Sequence, residues 1–376
     1  VFTSRIAVIY GTRPEAIKMA PLIKALRNYE NLDAIAISTQ QHESLLLDAL
    51  ESVGITTDLE LAPPDRSSVQ SLVSSIGLGL EIPVSESDLV VVQGDTISAY
   101  AGALAGLLQK KPVVHLEAGL RTANLYQPHP EEGLRRVITH LASVHLAPTA
   151  HARKNLESEG IPANSIVVTG NTSIDAIKDQ LRNMTPGSNS PIANAKNYCV
   201  LTVHRRENWG DGLGRIARAV FQLSTEFPDV DFLCPLHPNP IVRESFDALP
   251  RGNNFRILDP LPHDSFVELL AGSQLILTDS GGIQEEATVL GVPVVILREE
   301  TERPEVVDAG WGFIAGTNET QILALARDLL QQRLDHTFTG PDESPFGDGN
   351  AGTRAAQAIS KFSRGTELPS DMAIVD

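Results

Sequence analysis

Cysteine is almost missing from this chain of 376 residues, with Cys199 and Cys234 the only two. Each sits in an apolar, strand-like run, so a disulfide framework is excluded, a reducing compartment fits, and core packing is the plain role for both thiols. Basic residues are also few: 30 Lys and Arg against 47 Asp and Glu leave a net charge of −17, which repels polyanions and argues against a general nucleic-acid binder. Any anionic ligand must be small and gripped locally. Long apolar runs are wanting too, for Ala99–Leu108 is among the longest and falls far below the ~20 residues of a membrane span. Val1–Tyr10 lacks the layout of a signal peptide, and the cytoplasm is the expected location. There is no H-E-x-x-H and no Cys/His spacing that would hold a metal, so a metal site is not indicated. Nor is there a G-x-x-x-x-G-K-[ST], or a G-x-G-x-x-G after the first strand, which argues against a P-loop NTPase and a dinucleotide oxidoreductase.

What is present is an ordinary globular composition, 42% hydrophobic and 20% charged, at a length that suits two domains. Short β-branched runs alternate with helical patterns: Ile6–Tyr10, Ala34–Thr39, Leu89–Gln93, Val113–Leu116, Val144–Ala147 and Ile166–Thr169. That is the βαβ rhythm of a parallel sheet. The stretch from Arg182 to Asn197, rich in Pro, Ser and Asn, reads as a linker. The rhythm then restarts with Tyr198–Val203, Asp231–Pro235, Phe255–Leu258, Leu275–Thr278 and Pro293–Leu297. The expected organisation is an amino-terminal domain over 1–181, a linker over 182–197 and a second α/β domain over 198–350, followed by a terminal segment, 351–376, in which Ala351–Ser363 reads as a helix. Two such halves imply a cleft, and ligands of open parallel sheets sit outside the carboxyl ends of the strands.

Chemistry-bearing residues do cluster there. Leu275–Thr278 runs into Asp279-Ser280-Gly281-Gly282 and then a helical pattern, where glycines let a phosphate approach the backbone and helix-start N–H groups favour negative charge. The alternative is a plain turn with Ser280 as N-cap. Thr12-Arg13-Pro14-Glu15 is echoed by Glu302-Arg303-Pro304-Glu305, each arginine standing at a proline-marked helix start where it can grip a phosphate or pair with a local glutamate. Lys18, one turn on, could add a cation or be solvated.

Asp95 either caps the Thr96–Gln109 helix or carries chemistry, and Glu131, in the Glu131-Glu132 pair, either opens a helix or does the same. Glu117 follows the apolar run Pro112–Leu116, where a carboxylate is costly unless paired or used; Arg121 is a candidate partner. His204, at a strand end before Arg205-Arg206-Glu207-Asn208, is the best imidazole candidate. Several carboxylates beside a phosphate site suggest proton transfer on a substrate whose leaving group is a diphosphate.

Taken together, GTRPEAIKMAPLIKAL, QGDT, HLEAGLRT, PEE, GNTSIDA, HRREN, LTDSGGIQEEA and ERPE resemble the non-hydrolysing UDP-N-acetylglucosamine 2-epimerases, in family order from Gly11 to beyond Arg303. The resemblance implies an α/β, glycosyltransferase-B-like fold of two Rossmann-like domains with a cleft between them and a terminal helix crossing back to the first. It implies interconversion of UDP-GlcNAc and UDP-ManNAc with no added cofactor, through elimination of UDP to 2-acetamidoglucal and re-addition, in a homodimer. On the matching positions, Asp95, Glu117, Glu131 and His204 form the active-site set. Arg13, Lys18, Phe266, Ser280, Gly281, Gly282, Glu286 and Arg303 hold the nucleotide, with UDP as its free form. Gln41, His42, Arg66 and Arg205 match a site where some members bind a second UDP-GlcNAc as activator, Ser44 standing there in place of a longer glutamine. Gln93, His129 and Leu134 depart from the residues frequent at their positions. A glycosyltransferase of the same fold and a catalytically silent nucleotide-sugar sensor are the competing readings.

Overall fold

The computed structural model describes residues 3–41, 50, 53–183, 197–236, 239–247, 254–341 and 343–368. The chain divides into two compact units, Val1–Asp179 with Phe346–Asp376, and Gln180–Pro345. The division falls within the helix Thr172–Asn183, and positions 184–196 of the expected linker lie outside the described residues.

The first unit is built on β1 (Ser4–Tyr10), β2 (Leu32–Ser38), β3 (Leu59–Glu60), β4 (Leu89–Gln93), β5 (Val113–Leu116), β6 (Val144–Ala147) and β7 (Ile166–Val168). They lie in the order β3-β2-β1-β4-β5-β6-β7, all parallel. Helices cover both faces, which is why β4 can be wholly buried and read as Leu-Val-Val-Val-Gln without alternation. One face carries Val8, Val91, Val114 and Leu146 into a core with Leu22, Ile23 and Leu26 of the helix Arg13–Arg27. The other packs Val90 and Val92 on Ala99, Ala101 and Ala103 of the helix Ile97–Leu108. The helix Ala351–Ser363 belongs to this unit: Ala355, Ala356, Ala358 and Ile359 enter the first core, and a Cβ on Gly352 would stand 2.7 Å from the Pro21 carbonyl carbon.

The second unit holds β8 (Tyr198–Thr202), β9 (Asp231–Pro235), β10 (Phe255–Leu258), β11 (Leu275–Thr278), β12 (Val294–Ile296) and β13 (Gly312–Ile314) in the order β10-β9-β8-β11-β12-β13, again parallel. Cys199 and Cys234 are buried in its core, where desolvation pushes both thiols above their ordinary range. Strand order reverses between β1 and β4 in one unit and between β8 and β11 in the other. Loops leave the sheet there in opposite directions and open a crevice at the carboxyl ends.

Candidate active site

In the first unit the crevice is walled by the turns after β1, β4 and β5. Thr12 caps the helix Arg13–Arg27 in a reciprocal capping box with Glu15, which sets Arg13 at the first helical position. Glu15 is 1% exposed; one oxygen accepts from Gly11 N (3.0 Å), Thr12 N (2.8 Å) and Thr12 Oγ1 (2.8 Å), the other from Thr96 Oγ1 (2.5 Å). Burial outweighs these bonds and pushes its carboxyl up to about 7. In the sequence Glu15 stands only as a local partner for Arg13, though the T-x-x-E spacing carries its capping role.

Glu117 leaves β5 with φ of +63°, a left-handed backbone that a non-glycine residue adopts only under constraint. Its side chain is held from three elements: Lys18 Nζ and Asn171 Nδ2 (3.0 Å) donate to Oε1, and Gln93 Nε2 donates to Oε2. Lys18 is therefore an ion-pair partner rather than a solvated cation. Arg121, the partner suggested by proximity in sequence, turns to Glu159 instead at 2.8 and 2.7 Å. The backbone turn at Glu117 separates neighbours in the chain. Beside it His115 bonds the Gly94 carbonyl through Nε2 at 2.8 Å, and burial drives its ring down to about 3, so it is neutral.

Asp95 does not cap the next helix. Thr96 does, accepting from Ala99 N, and Asp95 pairs with Arg135 through Nε (3.0 Å) and Nη2. Arg135 also reaches Glu132 at 3.0 Å, and fully buried Glu132 takes Arg136 Nε at 2.7 Å. Glu131 is the half-buried first residue of that helix, Glu131–Leu141. Arg135 was missed in the sequence, although its i, i+3 spacing from Glu132 is a pairing signal. Of the candidate activator residues, Arg66 donates to Gln41 O (3.2 Å) and Gln40 O (2.5 Å), while the Gln41 side chain accepts from Ser98 N (3.0 Å) and Oγ (2.7 Å). His42 and Ser44 lie outside the described residues, and Arg205 belongs to the second unit.

There the turns after β8 and β11 are tied by Asp279, which is fully buried and which sequence reasoning left without a role. It accepts from His204 N (3.1 Å), Arg205 N (2.9 Å) and Asn208 Nδ2 (3.0 Å), and stands 3.3 Å from His204 Nδ1, fixing the imidazole. Ser280 holds the N-cap position of the helix Gly281–Leu290, as the plain-turn alternative has it, but makes no side-chain capping bond. The N–H groups of that first turn point out of the helix start, ready for an anion. Gly281 is required by space: a Cβ would sit 2.2 Å from Arg303 Nη1.

Arg303 is not a surface group. It is 6% exposed and bonded through Nε to Glu285 (2.5 Å) and through Nη1 to Glu302 (2.5 Å), while Glu302 takes Arg298 Nη1 at 2.6 Å and Arg298 Nε meets Glu207 at 2.9 Å. Buried charges persist only when so paired. Glu286 and Phe266 are half-buried on the helices Gly281–Leu290 and His263–Ala271 of the same unit.

A family profile described as UDP-N-acetylglucosamine 2-epimerase matches residues 24–360. The UDP-N-acetylglucosamine 2-epimerases of Bacillus subtilis and Escherichia coli K12 are each 38% identical to this chain, covering 94% of it and 94% and 98% of their own lengths. Among solved structures, the Neisseria meningitidis UDP-GlcNAc 2-epimerase bound to UDP-GlcNAc superposes with a TM-score of 0.89 at 37% identity, over 95% of this chain and all of its own. The Methanocaldococcus jannaschii enzyme, in complex with UDP-GlcNAc and UDP, gives 0.84 at 32% identity over 95% of this chain and 99% of its own. A calicheamicin glycosyltransferase, at 16% identity and a TM-score of 0.55, shares the fold. By its residues and its architecture, the chain belongs to the UDP-N-acetylglucosamine 2-epimerase family.

Proposed function

We propose that this chain interconverts UDP-GlcNAc and UDP-ManNAc by removing the C2 proton and expelling UDP from C1, then returning UDP to C1 and a proton to the opposite face of C2. In the forward half a carboxylate takes the C2 proton, the C1–O bond breaks with its electron pair leaving on UDP, and the C2–H electrons form the C1=C2 bond of 2-acetamidoglucal. In the return half a phosphate oxygen of UDP bonds to C1 and a protonated carboxyl delivers a proton to the opposite face of C2. No electrons are gained or lost overall.

The observation that carries this reading is Glu117, a carboxylate fixed by Lys18, Gln93 and Asn171 on a constrained strand end. Asp95 and Glu131 supply further carboxyls in the same unit, with Arg13 at the helix start as a phosphate ligand. On the second unit, Ser280, Gly281 and Gly282 offer backbone N–H groups to the diphosphate, Phe266 and Glu286 hold the uridine, Arg303 supports the turn, and His204 faces the leaving group. By the resemblance at Gln41, His42, Arg66 and Arg205, a second UDP-GlcNAc acts as an activator, and the serine at position 44 in place of a glutamine makes that activation weaker.

The second partner is another copy of the chain. Leu78 (73% exposed), Ile82 (69%), Leu107 (51%) and Leu108 (74%) lie on adjoining helices of the first unit, where Gln109 Nε2 bonds the Glu81 carbonyl at 2.9 Å. Such a patch favours burial between subunits.

Incubation with UDP-GlcNAc, without nicotinamide or metal, is expected to yield UDP-ManNAc by NMR. Binding of UDP with no turnover of any UDP-hexosamine would overturn the reading in favour of a sensor.

A further inference from the structure

Two carboxamides meet one carboxylate in the first unit. Gln93 ends β4, Asn171 follows β7, and both donate to Glu117 after β5, across 24 and 54 residues of sequence. Both are buried, at 4% and 2% exposure. The orientation of Asn171 is fixed independently: its Oδ1 accepts from Ser173 N at 3.0 Å, and its own N donates to Phe346 O at 2.8 Å, so its NH2 is turned to Glu117. The second carboxylate oxygen stands over the turn at Gly94, where an added Cβ would be 3.5 Å from Oε2.

A carboxamide NH2 only donates. It suits an ionised carboxylate and offers nothing to a carboxyl O–H, and being uncharged it orients the group without neutralising it. Lys18 supplies the positive charge and the two amides supply direction. We propose that Gln93 and Asn171 are positioning residues for the proton transfer at C2, clamping Glu117 as an oriented, ionised carboxylate. The proposal rests on the reading of Glu117 as a proton-transfer group.

Among the described residues, the titratable groups around the clamp include Lys18 on the helix Arg13–Arg27, neutral His115 two residues earlier on β5, Asp95 beyond β4 paired with Arg135, and Arg121 paired with Glu159. Against that fixed background, Gln93→Glu and Asn171→Asp are nearly isosteric and place a second carboxyl against Glu117, which opposes its ionisation.

The experiment is steady-state epimerisation of UDP-GlcNAc by the full chain and these two variants across pH, with thermal unfolding as the check on folding. In each variant the acidic limb of the kcat–pH profile is expected to move up by ~1 pH unit, as a neighbouring like charge requires. The kcat near neutrality should fall ~10-fold or more, with KM within ~3-fold of the parent. Gln93→His, which keeps a donor of similar reach, should recover most of the lost kcat. Unmoved acidic limbs in folded variants, beside a parent that turns over, overturn the clamp alone. A parent that binds UDP but never epimerises overturns the underlying function as well.

Discussion

A carboxylate that transfers a proton and one that merely holds structure respond differently to loss of charge. Glu117→Gln, Asp95→Asn and Glu131→Gln are each expected to lower kcat by ~10²-fold or more while UDP affinity, measured by calorimetry, changes little. Near-parental rates in all three would make these carboxylates structural. Arg303→Ala acts on the second unit and removes a buried ion pair, the Nε bond to Glu285 at 0% exposure, so the thermal midpoint should fall together with UDP affinity, by a cost on the order of 3–5 kcal/mol. At this scale the strand-end carboxylates were legible in the sequence because an acidic residue after an apolar run is costly without a use. Their partners were not. Asn171 lies 54 residues from Glu117 and Arg135 lies 40 from Asp95, and such pairs exist only once β4 to β7 form one sheet with the helix Glu131–Leu141 packed on it. The nearby Arg121 misled because closeness in sequence is undone by a left-handed turn.

Strands buried on both faces announce themselves by short apolar, β-branched runs, and β4, β5, β6 and β11, buried at every position, fall where those runs stand. Leu59–Glu60 is exposed and two residues long, and Gly312–Ile314 begins with glycine, so neither β3 nor β13 has a signal of its own. Periodicity gave the helix Ala351–Ser363 but not its destination, which a buried carboxylate secures. Asp175 accepts the N–H groups of Ala351 (3.1 Å) and Gly352 (2.8 Å) at the start of that helix, and burial pushes its carboxyl up to about 6. The folded state therefore binds this proton more tightly than the unfolded chain, whose pKa is 3.8. The contribution is present in full below the unfolded value and is lost as pH rises through about 6. Denaturant unfolding at pH 4.5 and 7 should show the parent losing stability relative to Asp175→Asn, on the order of 2 kcal/mol across that interval. Parallel pH dependences in the two proteins would remove Asp175 from the account.

For the whole molecule, length and the repeated βαβ rhythm were enough to expect two parallel-sheet units, whereas the assembly was not readable, because helical periodicity does not say which apolar positions stay exposed. Light scattering is expected to give twice the chain mass of 40.5 kDa, and Ile82→Glu with Leu108→Glu to give single chains. A monomeric parent would leave the patch without that partner. The central claim is chemical, that C2 loses its proton and regains one from a group in exchange with solvent. Turnover of UDP-GlcNAc in deuterated water, followed by NMR at C2, tests it most directly. The account predicts solvent deuterium at C2 of the UDP-ManNAc formed and, as equilibrium is approached, of the remaining UDP-GlcNAc. Protium retained at C2 through complete interconversion would contradict it.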